Sequence, residues 1–225
     1  MLWLYRFLWI ASFLGTVALL FVASSPRAER SPIIDQWTTA TQGRFSVQVP
    51  FGFSARRDAL TQMGMNKPNS PIQLQDALRI ERGARTGVKI ILVTIRSDLM
   101  PGSGEGTASA EQQGARLLRQ VHDTQLQDLG KVFADIKPAE LRRVQVQGAL
   151  GLRTDFEFTL THWVPFFNLP ARGYLITVPV SQSEALHFVA YSPPHQYDAY
   201  QQAYERMLNT LKLVAGSTNI SSGGW

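Results

Sequence analysis

The sequence predicts an α+β fold: a central antiparallel sheet flanked by helices, an α/β/α sandwich, preceded by one N-terminal hydrophobic helix. Three observations predict it. Short β-prone runs follow one another too closely for crossover helices, as in Leu141–Gln147 and Leu150–Leu160, and parallel strands need a longer connection. Two amphipathic stretches can cover such a sheet. An apolar run, Phe7–Ala23, opens the chain.

That run follows a single charge, Arg6, with Trp3, Tyr5 and Trp9 placed like an interfacial aromatic belt. It reads as a signal anchor or a signal peptide over residues 1–24, interrupted only by Ser12, Gly15 and Thr16. The expected location is membrane-anchored with the domain on the extracytoplasmic side. The alternative is a secreted or periplasmic protein, cleaved near Ser24. Residues 25–36, with Ser-Ser-Pro and Ser-Pro, read as a tether; 37–214 form the globular domain and 215–225 a Ser/Gly-rich tail.

Within the domain, Phe45, Val47 and Val49 alternate with polar residues and Pro50 ends the strand. Gln73–Glu81 and Val88–Arg96 form a hairpin, the second strand being almost continuously apolar and therefore central. Ser109 and Gln112 make a capping box for a helix to about Leu129, with Leu117, Leu118, Val121 and Leu126 at mostly helical spacing. A second strand pair spans Arg172–Val180 and Ala185–Tyr191. Pro193-Pro194 stops the sheet before a helix over Tyr197–Leu211.

The chain has 225 residues, no cysteine and a net charge of +5. A domain of this size buries about 70% of its unfolded surface, so it needs no disulfide or metal staple. The missing cysteines exclude a thiolate nucleophile, a cysteine zinc site and an iron–sulfur cluster. The basic residues are scattered, which argues against nucleic acid and leaves an anionic membrane surface as a weak contact.

Candidate chemistry is sparse. His122, His162, His187 and His195 share no metal-binding spacing, although His162, His187 and Asp155 could converge across strands. Asp155 and Glu157 share a strand face, either as an acid–base pair or paired with Arg153. Gly102–Thr107 lacks the Gly-Lys-Ser/Thr of a phosphate loop. No catalytic, cofactor or metal residues are assigned. The most unusual stretch is His162–Pro170, where a polar turn belongs but Trp163, Phe166, Phe167 and Leu169 stand. These four are the candidate partner-binding residues.

Trp37, a short strand and then Phe45-Ser46-Val47-Gln48-Val49-Pro50-Phe51-Gly52-Phe53 resemble the F-x-V-x-x-P-x-x-[FW] opening of the PsbP and Mog1 family. The ending, from Leu186–Ala190 through Ser192-Pro193-Pro194 to Leu208–Leu213, is also similar. The resemblance spans residues 37–214 and implies an α/β/α sandwich whose members mainly bind proteins. The expected function is a non-catalytic binding domain, membrane-tethered or exported, that docks on a membrane protein complex or an exported client. The alternatives are an envelope hydrolase, or a lipid- or small-ligand-binding protein with an apolar cleft beneath Phe51-Gly52-Phe53.

Overall fold

The computed structural model describes residues 34–58, 70–83, 85–96, 98, 110–161 and 168–214, with 12, 13 and 16 of the N-terminal segment. The strands are β1 (Trp37–Gln42), β2 (Phe45–Pro50), β3 (Ser54–Arg57), β4 (Ile72–Arg82), β5 (Thr86–Ile95), β6 (Ala134–Pro138), β7 (Arg142–Val146), β8 (Ala149–Leu160), β9 (Leu169–Pro179), β10 (Glu184–Ser192) and β11 (Lys212–Leu213). The helices are α1 (Ala110–Val132), between β5 and β6, and α2 (Tyr197–Thr210), entered through a 3-10 turn at Pro194–Gln196.

The main sheet runs β3-β4-β5-β10-β9-β8-β6, with β7 also on β8, and a smaller sheet runs β1-β2-β11. Every pairing is antiparallel. β5 is central, as its apolar run requires. Val88, Ile90 and Leu92 serve one core, while Ile91, Val93 and Ile95 serve the other. That strict alternation on a strand covered from both sides explains why it carries almost no polar side chain.

The face of Ile90 is packed by Phe45, Val47 and Val49 of β2, and by Tyr200, Tyr204, Met207 and Leu208 of α2. Its rings form a chain: Phe53–Tyr200 at 5.9 Å, Tyr200–Tyr204 at 6.0 Å, Tyr204–Tyr174 at 6.5 Å and Tyr174–Phe188 at 6.2 Å. The opposite face is packed by α1 through Leu117, Val121, Leu126 and Leu129.

This arrangement corrects the expected helix-flanked α/β/α sandwich. Eleven strands stand against two helices among the described residues, and one face of the sheet is covered by a second β layer beside α2. The reason is that Phe45–Val49 present three apolar residues on one side, and β1 and β11 extend them into a sheet of their own. The expected N-terminal hydrophobic helix and membrane anchor are also corrected. No helix among the described residues is long and apolar enough to cross a membrane. Most of residues 1–24 and all of 215–225 lie outside the described residues.

Two polar contacts fix the upper layer on the sheet. At the first, a register shift between Leu74 and Asp76 turns the Asp76 carboxylate toward the β1–β2 turn. It accepts from the Arg44 amide at 2.8 Å, the Ala77 amide at 3.0 Å and Arg57 Nε at 2.9 Å. Gly43 occupies the first central position of that turn with φ +57°, and a Cβ there would stand 2.1 Å from Asp76 Oδ2. At the second, the turn between β7 and β8 holds both Gln147 and Gly148 at positive φ, as a tight two-residue hairpin requires. Gln147 Nε2 donates to the carbonyls of Leu208 at 2.8 Å and Leu211 at 3.0 Å, capping the end of α2, where carbonyls run short of intrahelical donors.

Removing either contact has a predictable cost. Asp76→Ala leaves the part-buried Arg44 amide without its acceptor and is expected to lower stability by about 2–4 kcal/mol. Gln147→Ala loses the helix cap and places alanine at positive φ; Gln147→Gly loses only the cap. Urea unfolding should rank both below the wild type, with glycine the milder by about 1 kcal/mol.

Candidate functional site

Four polar side chains break the apolar packing between α1 and the sheet. His122 of α1 is fully buried, and both of its ring nitrogens meet threonines. Nδ1 lies 2.8 Å from Thr177 Oγ1 and Nε2 lies 2.9 Å from Thr154 Oγ1. Thr177 Oγ1 also lies 2.9 Å from Nδ1 of His187. The register builds this cluster: Thr177 is opposite His187 on β10 and Leu152 on β8, and His122 descends from the helix above them.

The geometry fixes a protonic order. The Thr177 hydroxyl has one proton, so it donates to one imidazole and accepts from the other. Both rings are neutral in this arrangement. Burial holds His122 down at about 4 against a small opposing effect of Asp123. Burial and then the neighbouring His122 hold His187 down at about 3. Nε2 of His187 is buried with no hydrogen-bonding partner among the described residues. The cluster is a structural seam: its hydroxyls are held by histidines, and among the described residues no carboxylate bonds either ring.

The carboxylates read from the sequence lie elsewhere. Asp155 stands opposite Tyr174 on the α2 side of the sheet, so it points away from His187 and the expected convergence of the two does not occur. Arg153 donates to Asp155 through Nε at 3.0 Å and Nη2 at 2.8 Å, and Arg142 pairs with the other oxygen. Arg153 also lies 4.2 Å over the Tyr174 ring. Asp155 therefore serves an arginine-paired strand face. Glu157, exposed, stands opposite Arg172 and Lys137. His195 is exposed in the 3-10 turn. Among the described residues no group of three His, Cys, Asp or Glu side chains is placed to hold a metal ion.

Of the aromatic segment, Leu169 opens β9, half-buried and opposite Leu160. Trp163, Phe166 and Phe167 lie outside the described residues, as do His162 and the Gly102–Thr107 stretch. The sequence reading missed the His122–Thr177–His187 seam. Its only signal is that Thr154, Thr177 and His187 interrupt apolar strand faces, a pattern with no motif spacing.

No family profile matches the sequence, and no curated protein matches it. Solved structures do. The cyanobacterial PsbP (CyanoP) of Synechocystis sp. PCC 6803 is 12% identical over 84% of this chain and 99% of that one, with a TM-score of 0.43. Mog1p of Saccharomyces cerevisiae, described as a Ran-binding protein, is 13% identical over 80% and 96%, with a TM-score of 0.41. A Pseudomonas aeruginosa protein of unknown function, described as a putative regulator, is 10% identical over 81% and 99%, with a TM-score of 0.38. PsbP and Mog1 structures are thus among those the chain is similar to. The likeness is one of fold, and no residue role passes with it.

The seam predicts an acid weakness. Burial lowers both histidines in the folded chain, so folding is strongest while the unfolded chain is also neutral, above pH 6.5. As pH falls, the unfolded chain binds protons that the folded chain refuses until about 4 for His122 and 3 for His187. Urea midpoints should fall steadily from pH 6.5 to pH 5, a range where histidine is the main titrating side chain. A midpoint that stays constant from pH 6.5 to 5 would mean that the two rings are solvated.

Proposed function

We propose that the chain is a non-catalytic protein-binding module, built on the domain at 37–214, whose contact surface includes Trp163, Phe166, Phe167 and Leu169. The observation that carries this reading is the β8–β9 hairpin. Its register ends at Leu160 opposite Leu169. The connection, 161–168, is longer than the roughly two to five residues a hairpin loop needs, and it holds three aromatic residues where turns use polar ones. Trp and Phe supply large contact area at low entropic cost, which is why they dominate binding hot spots.

The use of the polar side chains supports the same reading. His122 and His187 are engaged by threonines, and Asp155 by two arginines. These groups hold layers together. The partner is a protein, and a membrane protein complex or an exported client is the class to screen first.

A photo-crosslinking residue at position 166 of the full chain tests the reading when compared with the Trp163→Ala/Phe166→Ala/Phe167→Ala variant. One protein of defined mass should crosslink. The variant should bind it at least about thirtyfold more weakly, equivalent to about 2 kcal/mol, with an unchanged melting temperature. Undiminished binding overturns the reading. A melting temperature lowered by several degrees shows instead that the rings pack in the core.

A further inference from the structure

We infer that β1 is a self-pairing edge: two copies of this chain join antiparallel through their β1 strands, making one six-stranded sheet from two three-stranded ones. The inference rests on how differently the free edges of this molecule are built.

A free strand edge offers unpaired N–H and C=O groups, and folds protect such edges with short strands, charges, prolines or bulges. β3 has four residues, of which two are Arg56 and Arg57. β6 carries Lys137 and Pro138 and a register shift between Ala134 and Lys137. β7 begins with Arg142-Arg143, and β11 has two residues. β1 has none of these devices. Its six residues, Trp-Thr-Thr-Ala-Thr-Gln, contain no charge and no proline, and pair with β2 in an unbroken register from Trp37↔Pro50 to Gln42↔Phe45. Among the described residues β1 pairs with β2 alone. Thr38, Thr39, Thr41 and Gln42 are exposed.

The hairpin sets which groups point outward. A two-residue turn makes Gln42 and Phe45 a hydrogen-bonded pair, and bonded pairs alternate along an antiparallel ladder. Thr38, Ala40 and Gln42 therefore spend their backbone groups on β2. Trp37, Thr39 and Thr41 direct theirs to the open side. Of these, Thr39 and Thr41 share the exposed face away from Ala40, which packs into the core, whereas Trp37 at the start of the strand is half-buried, packed against the core and under Arg206.

These constraints select a second copy as the occupant. A strand that meets its own copy across a twofold axis places each side chain opposite an equivalent one, so charges would repel. Among the described residues, β1 is the one free edge longer than two residues that carries no charge. Outward-bonding residues must also face one another, so in the central registers Thr39 stands opposite Thr39 or Thr41 of the second copy. Cross-strand threonine pairs are favourable. Both registers keep Ala40 on the core face of each copy, so the joined sheet leaves each core intact.

Sedimentation of the full chain from micromolar to millimolar concentration tests the inference. The wild type should show a concentration-dependent dimer. Thr39→Pro removes an outward N–H that β2 does not use, a substitution edge strands tolerate, and should weaken dimerisation at least roughly tenfold with an unchanged melting temperature. Thr41→Lys, which places like charges near the axis, should do the same and serves if the proline variant unfolds. Because the chain has no cysteine, Thr39→Cys alone, or mixed with Thr41→Cys, should form a disulfide-linked dimer on oxidation. A wild type that remains monomeric throughout, or variants that dimerise as well as it does, would overturn the inference.

Discussion

Asp76 presents a buried carboxylate to the layer above it, and the position of that whole layer follows from this contact. The register shift after Leu74 brings the side chain under the β1–β2 turn. Three donors reach it from three segments: the Arg44 amide, the Ala77 amide and the Arg57 guanidinium. A buried carboxylate is costly unless fully engaged, and the chain meets that condition only when β1, β2 and β3 are all seated. Gly43 is part of the same constraint, because any side chain there would occupy the space of the carboxylate. Once the hairpin is fixed, Phe45, Val47 and Val49 meet the sheet, and α2 fills the space beside them.

The two cores differ in how they specify their contacts. The α2 side is large, aromatic and almost wholly apolar, with Tyr204 donating its hydroxyl to the Tyr191 carbonyl at 2.8 Å. The α1 side is divided by the His122 seam into two smaller apolar clusters. Leucine packing alone would let a long helix slide or rotate over a flat sheet. A histidine bonded at both nitrogens to fixed threonines allows one position. The seam thus trades some burial energy for a defined register of helix on sheet.

Much of the sheet was legible because its signals are local. The alternation of Phe45–Val49, the apolar run of β5 and the spacing of Tyr200, Tyr204, Met207 and Leu208 each identify an element and its buried side. β3, β6 and β11 were not legible. They are short and polar, as in Ser-Ala-Arg-Arg, and are strands only because a neighbour offers an edge. The second β layer escaped notice for the same reason: Lys212-Leu213 joins β2 by pairing with Ser46 and Phe45, which no local pattern announces. The His122–Thr177–His187 contact depends on strand register and helix placement together. In the candidate binding segment the composition was legible at once, since Trp163, Phe166 and Phe167 contradict the polarity expected of a turn, whereas Leu169 proved to be the first residue of β9.

The contacts of β2 span nearly the whole domain. Its Gln48 amide donates to Thr210 Oγ1, 162 residues away, its neighbour Arg44 pairs with Glu184, 140 residues away, and its free side receives β11. On the ribosome, the first hairpin of the domain is made early, but several of its partners are among the last residues of the domain. Loops this long are slow to close, so for most of translation Phe45, Val47 and Val49 have only the β4 and β5 part of their core and lack the part that β9, β10 and α2 supply. The nascent domain is an open sheet until its final helix arrives. Folding of this architecture is therefore completed only once that helix is available, and the apolar strand stays partly uncovered in the interval.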